Sequence, residues 1–364
     1  VALQKLAQAQ DNIHKAYGKR SGGKGFKFPA FPRLPTGILT LDVALGGGIP
    51  MGGVSLIYGN ESSGKTSLAL RCAAQFQKRF PNRKICFIDI ENSWDEEWSR
   101  LHGVDPEEVY LFKPTTAEEA ADMAKEVGMS EDTGMVIVDS IAAMASIAQL
   151  EKSAEQMVIG GYAKQATAML RNLGAAASEH AKAGQSLTTI YINQPREKIG
   201  VVFGNPEILP GPRAQHFQAF LKLRISAKPI LKEKIAPLPI YNDTSARIVK
   251  KKFPCIRQDA QWQMALYPYE DKNVKVKPLE VNNRKHAEKL LLDQNLIRKD
   301  GKEWVYDATG EAFKTQTAAV DSAISDYDEL LDFLVGQMLK LYEPEIKANI
   351  QEGKAMDGLP TYAV

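Results

Sequence analysis

The stretch Gly59-Asn60-Glu61-Ser62-Ser63-Gly64-Lys65-Thr66 fits G-x-x-x-x-G-K-[ST] in full. It follows an apolar run, VSLIY, and opens a helical pattern, TSLALRCAAQFQKR. A loop in that setting turns its backbone N–H groups, and those of the helix start at Ser67, toward a bound phosphate. Lys65 then brings a positive charge to the β- and γ-phosphates of ATP, and the Thr66 hydroxyl ligates Mg2+. Glu61, Ser62 and Ser63 fill the cradle between Gly59 and Gly64. A chance Gly-rich turn is the alternative, and the flanking strand and helix argue against it.

Two further runs end in carboxylates. MVIVDS delivers Asp139 to the end of a buried strand, where it reaches the magnesium shell through water; taken alone, an Asp there is as often a helix cap. CFIDIENSWDEEW places Glu91 just past a strand end, suited to polarise an attacking water as general base, with Asp89 one step inside. A surface ion pair is the alternative for Glu91. Asp95 and Trp98 follow at helical spacing, and an exposed Trp98 stacks on adenine where a core Trp does not. These groups predict binding and hydrolysis of ATP.

What the hydrolysis serves rests on INQPREKIGVVFGNPEILPGPRAQHF. A buried strand ends in Gln194, whose amide is placed to sense a γ-phosphate. A loop of some twenty residues follows, in which Arg196, Lys198 and Arg213 alternate with Ile199, Val201, Val202 and Phe203. Loops that long inside domains are functional or disordered. Cations beside apolar groups suit a flexible nucleic-acid strand, the charges meeting phosphates and the side chains wedging against bases. A mobile lid over the nucleotide is the competing reading. Lys250 and Lys252 in RIVKKKFP stand two apart on an expected strand and so point the same way; a basic edge strand is the alternative.

The elements that must position these residues follow an α/β rhythm. GVSLIY, KICFIDI, MVIVDS and LTTIYINQ alternate with helical stretches at 66–78, 117–127 and 162–180, which predicts a mostly parallel sheet covered on both faces. Before it, residues 2–17 read as a helix with Leu3, Leu6, Ile13 and Tyr17 on one face, followed by a Gly-, Pro- and Lys-rich linker. That helix either docks on a neighbouring copy or frays. After about residue 268, a helix, a hairpin around Asp300-Gly301 and an amphipathic helix at 326–342 predict a small α+β domain. The expected division is 1–36 (helix and linker), 37–269 (core), 270–342 (C-terminal domain) and 343–364 (loose tail).

Composition narrows the class. Hydrophobic residues at 44% and charged residues at 25% suit a globular chain. No run of 18 apolar residues exists, so no membrane span is expected. The N-terminus does not read as a secretory signal. Cys72, Cys86 and Cys255 and the five histidines show no metal-ligand spacing, which favours a reducing, cytoplasmic setting. The net charge of +2 hides local basic clusters.

GNESSGKT, FIDIENSWD, IVDSIAAM and above all NQPREKIGVVFGNPE resemble, in order, the nucleotide and DNA motifs of the RecA family of strand-exchange recombinases of bacteria and their phages. The resemblance runs from the N-terminal helix to about residue 342. It implies an ATPase that forms a helical filament of identical subunits on single-stranded DNA, takes up double-stranded DNA and exchanges strands. Lys65 and Thr66 would hold phosphate and magnesium, Glu91 would activate water, and Trp98 and Asp95 would meet adenine. Gln194 would couple the γ-phosphate to the second DNA-binding loop, 194–213, with Arg196, Lys198 and Ile199 among its contacts. The first DNA-binding loop would span 151–163, where Ile159 replaces a base-wedging Met. On the helix after it, Lys164 and Arg171 would bind phosphates, a solvated helix face being the alternative. Lys250 and Lys252 would reach across to a neighbour's γ-phosphate.

The chain also departs from the family. Pro195 replaces an aliphatic residue, PGPRAQ replaces a GGNA-type turn, the segment 226–247 is longer, and no strongly acidic tail is present. Pro212 lacks a backbone donor, leaving Arg213 to contact phosphate by side chain. These features favour a divergent, phage-encoded member in a bacterial cytoplasm. A DNA helicase and an ATP-gated accessory protein that binds single strands remain as alternatives; a small-molecule kinase leaves the basic loop unexplained.

Overall fold

The apolar runs form neighbouring strands of one sheet in the computed structural model, which describes residues 2–17, 32–144, 161–197, 207–231, 239–253, 255–271 and 274–351. The chain begins with α1 (Ala2–Tyr17) and α2 (Leu39–Leu45). The core then runs β1 (Val54–Tyr58), α3 (Lys65–Arg79), β2 (Lys84–Asp89), α4 (Glu96–Leu101), β3 (Val109–Phe112), α5 (Ala117–Met129) and β4 (Thr133–Asp139). It continues through α6 (Gly161–Lys182), β5 (Thr188–Asn193), α7 (Ala214–Gln218), β6 (Leu221–Leu231), β7 (Pro239–Lys251) and β8 (Asp259–Ala265).

The eight strands lie in the order β8-β7-β6-β1-β5-β4-β2-β3. From β6 to β3 all neighbours are parallel, and β7 and β8 add an antiparallel edge. Every residue of β1, β4 and β5 is buried, the condition of central strands with helices on both faces. Leu56 and Ile57, adjacent in sequence, feed opposite faces. Ile57 joins Leu68, Ala69 and Phe76 of α3, whereas Leu56 joins Ala120 and Ala124 of α5 and Met169 and Leu170 of α6. The order puts β1 between β6 and β5, so the P-loop and the foot of the long loop share the end where β1 and β5 finish. Lys250 and Lys252 lie toward the opposite end, where antiparallel β7 finishes beside the start of β6.

The C-terminal segment is α8 (Asn283–Asp293), a meander of β9 (Ile297–Asp300), β10 (Glu303–Tyr306) and β11 (Glu311–Phe313), then α9 (Gln316–Ala323) and α10 (Tyr327–Gln351). The expected hairpin is present, with Asp300 paired to Glu303 and Gly301 at φ +59°. Leu290, Leu291, Val320, Leu331 and Leu334 pack with Leu39 and Val43 of α2. Tyr327 fastens this segment to the core by donating to Asp42 Oδ2 at 2.6 Å.

Two expectations change. The tail expected to be loose from 343 is helical as far as Gln351, with Pro344 inside the helix. The sheet has four more strands than the four runs announced: β3 is short and partly exposed, and β6 to β8 alternate rather than run apolar. Among the described residues no helix is long and apolar enough to cross a membrane.

Candidate nucleotide site and nucleic-acid interface

The P-loop is shaped by what its glycines permit. A Cβ at Gly59 would sit 2.1 Å from the Ile225 carbonyl oxygen of β6, so only glycine lets the chain leave β1 there. Gly64 takes φ +89° and hands over to α3 at Lys65, whose first-turn N–H groups lack helical partners. Ser62 is exposed, while Ser63 and Ser67 are buried and the Ser63 hydroxyl has no protein partner. Lys65 folds back to donate to the Asn60 carbonyl at 2.7 Å. Burial lowers its pKa, opposed by the carboxylates of Asp139, Glu91 and Glu61.

Thr66 and Asp139 come together as expected. Thr66 Oγ1 donates to Asp139 Oδ2 at 2.7 Å, while the buried Oδ1 has no protein partner. Burial raises the Asp139 pKa to about 6, with the Thr66 hydrogen bond opposing and Glu91 and Asp89 adding to the rise. A free carboxylate oxygen beside a hydroxyl is a hard-oxygen pair that fits Mg2+ shared with substrate phosphates. Among the described residues no group of three or more His, Cys, Asp or Glu is placed to hold a metal alone.

A pH dependence follows. Below about pH 6 Asp139 is protonated and loses its value as a ligand, so magnesium-dependent ATP affinity is expected to fall as pH drops through that range. Ligand-free stability moves the other way. A raised carboxyl pKa stabilises fully below the unfolded value of 3.8, and that gain disappears as pH rises through about 6. Magnesium titrations with a fluorescent ATP analogue on either side of that pH check the first trend, and thermal melts of metal-free protein check the second.

Glu91 lies beside Asp139: its N–H donates to the Asp139 carbonyl at 3.1 Å, and its side chain is exposed at the mouth of the site. Asp89 is structural, accepting the N–H groups of Ser93 and Trp94. Asp95 Oδ1 caps α4 through the Trp98 N–H at 2.7 Å. Trp98 is 40% exposed, an open ring rather than a core one.

Gln194 connects the nucleotide loop with the long loop, its Nε2 donating to Glu61 Oε1 at 2.9 Å. The long loop has an ordered foot that the sequence did not announce, in which Arg196 and Glu197 pair with Ile208 and Glu207. Glu207 is in turn gripped by Arg224 of β6. Arg196 and Arg213 are exposed and Pro212 is buried. Lys164 and Arg171 are exposed on α6, two turns apart on one face. Ile159, Lys198, Ile199 and Phe203 lie outside the described residues.

Lys250 and Lys252 converge even though Lys252 lies just past the end of β7 rather than within it. Their Nζ atoms donate to the Phe217 carbonyl at 3.2 and 2.9 Å, and Lys250 also donates to the His216 carbonyl. Sequence reasoning missed a third cation, Lys222, directly opposite Lys250 in the β6–β7 ladder. Burial lowers the pKa of Lys222 and Lys250, and Lys250 adds to the effect on Lys222. Like charges opposed across a ladder destabilise it, so three lysines gathered here suit an anion. Phe217 beside them is 72% exposed. Only the strand pairing reveals Lys222; its local sequence, LKLRI, gives no sign.

Fold and site together define an α/β P-loop ATPase core with a basic loop foot and a lysine cluster where β7 ends beside the start of β6. The RecA N-terminal domain matches this chain over residues 4–267. The chain is 37% identical over 252 residues to Protein RecA of Oceanobacillus iheyensis, covering 68% of this chain and 70% of that one. It is likewise 37% identical over 250 residues to Protein RecA of Enterococcus faecium, covering 68% and 69%. A crystal structure of the RadB recombinase covers 64% of this chain and 96% of its own at 23% identity and a TM-score of 0.46, too slight a likeness to carry an argument. The chain belongs to the RecA family, a family of DNA recombination and repair.

Proposed function

We propose that this protein is a DNA-dependent ATPase that coats single-stranded DNA as a helical filament, admits double-stranded DNA and exchanges strands where the sequences match. The observation that carries the reading is the Gln194–Glu61 hydrogen bond, which makes the first residue of the long loop a neighbour of the triphosphate cradle. A γ-phosphate arriving there competes for the Gln194 amide and alters the foot of the loop. Lys65 and the α3 N-terminus neutralise phosphate charge, Trp98 offers a face to adenine, and Glu91 takes a proton from the attacking water. Thr66 and Asp139 would hold Mg2+, which when bound neutralises charge on the phosphates.

Arg196, Arg213, Lys164 and Arg171 would meet the DNA backbone, while base pairing reads sequence. Lys250 and Lys252, with Lys222 beside them, would contact the γ-phosphate held by a neighbouring copy. Leu6 and Ile13 of α1, 69% and 47% exposed, give the next subunit an apolar face to bury. Contacts of this head-to-tail kind do not close and produce a filament. The segment 270–342 would form a separate C-terminal domain on the filament's flank.

Electron microscopy and sedimentation of the protein on single-stranded DNA test this assembly. Continuous filaments with a slowly hydrolysed ATP analogue, shed with ADP, are expected. Closed rings, or binding indifferent to nucleotide, would contradict it.

A further inference from the structure

Two buried side-chain amides stand at the foot of the long loop. Asn193 is the last residue of β5, Gln215 the second of α7, and the whole loop separates them in sequence; both are buried. Asn193 Nδ2 donates to the Pro210 carbonyl and to Gln215 Oε1, each at 2.8 Å. Gln215 Nε2 donates to the same Pro210 carbonyl at 2.9 Å. Asn193 Oδ1 accepts the N–H of Gln194 at 2.9 Å.

The amides therefore tie three parts together: the strand end that carries Gln194, the returning arm of the loop at Pro210, and α7. Residues 216 and 217 immediately follow Gln215, and their carbonyls receive Lys250 and Lys252. A pair of apolar side chains would fill the same space. Directional hydrogen bonds also fix how the arm, strand and helix sit against one another, and in a buried site their loss is costly.

We propose that Gln215 is a positioning residue that clamps the returning arm of the loop to the strand bearing Gln194. A displacement at Gln194 is thereby passed to α7 and, through the carbonyls of His216 and Phe217, to Lys250 and Lys252. This rests on the reading that Gln194 responds to the γ-phosphate and that the loop binds DNA. The path is one of contiguous hydrogen bonds, and its physical warrant is a measured coupling rather than adjacency.

Gln215→Met keeps the volume and removes both the donor and the acceptor, while Asn193 retains the Pro210 carbonyl. Single-strand affinity is measured with a slowly hydrolysed ATP analogue and with ADP, for wild type and variant, alongside the affinity for the analogue itself. Couplings of this sort run from about 5- to 150-fold, and in the variant the ratio is expected to shrink to about twofold or less, with analogue affinity nearly unchanged. An unchanged ratio in the variant, or an equal loss of DNA affinity with both nucleotides, overturns the proposal while leaving the functional reading in place. A wild type with no ratio at all overturns both.

Hydrogen exchange on the wild type supplies a test that needs no variant. The analogue is expected to change protection at 193–194, 207–218 and 250–252 together, and a change confined to 193–194 overturns the clamp.

Discussion

Changing Lys250 and Lys252 together to alanine is expected to cut DNA-stimulated ATP hydrolysis by about 10³-fold or more, the scale seen when a cation supplied by a neighbour is lost from phosphoryl transfer. The two ammonium groups meet at one carbonyl, that of Phe217, with Lys222 directly opposite Lys250. Each ammonium group has a protein partner, and three positive charges gathered this closely are further stabilised by an arriving phosphate. Nucleotide binding by the isolated subunit should survive, because Lys65 would meet the triphosphate, and Thr66 and Asp139 its magnesium, from within the same subunit. Mixing the double variant with a Glu91→Gln variant sharpens the test, since a trans contribution lets neighbours of the two kinds restore mixed active sites. Unchanged turnover in the double variant would remove the lysines from the reaction.

Glu91→Gln is expected to lower kcat by about 10²- to 10⁴-fold, the usual contribution of a positioned general base. Gln keeps the shape of the exposed side chain, and the backbone bond from Glu91 to the Asp139 carbonyl does not depend on the carboxylate. ATP affinity should therefore change little, and the filament on single-stranded DNA should persist longer because ATP is not spent. Single-turnover hydrolysis and filament lifetime measured on the same preparation separate the two effects. A variant that hydrolyses ATP at the wild-type rate would make Glu91 a surface carboxylate and move the base elsewhere.

The nucleotide half of the site was legible because its requirements are local. A Gly at the end of β1, a Gly at positive φ before α3 and a Lys-Thr pair at the helix start are fixed by backbone geometry over eight residues. Asp139 was legible because a wholly apolar strand must end where polarity resumes. The second half depends on pairing between distant strands. Lys222 meets Lys250 only because β6 and β7 are antiparallel neighbours, and Asn193 meets Gln215 only because the loop returns to its own foot. The half-exposed, alternating β6 and β8 do not stand out as strands in one sequence, and only the basic end of β7 reads as one, whereas buried parallel strands read as continuous apolar runs. The helix continues past residue 342 although Pro344 reads as a stop when only the sequence is in view.

The central claim is that ATP-gated contacts of the loop foot serve homologous pairing, and joint-molecule formation tests it most directly. Labelled single-stranded DNA, ATP and magnesium are incubated with the protein and with duplex of matched or scrambled sequence. The predicted result is joint molecules with the matched duplex alone, abolished by Lys65→Ala. Equal opening of both duplexes, or tight nucleotide-gated binding of the single strand with no joint molecules from either, would contradict it.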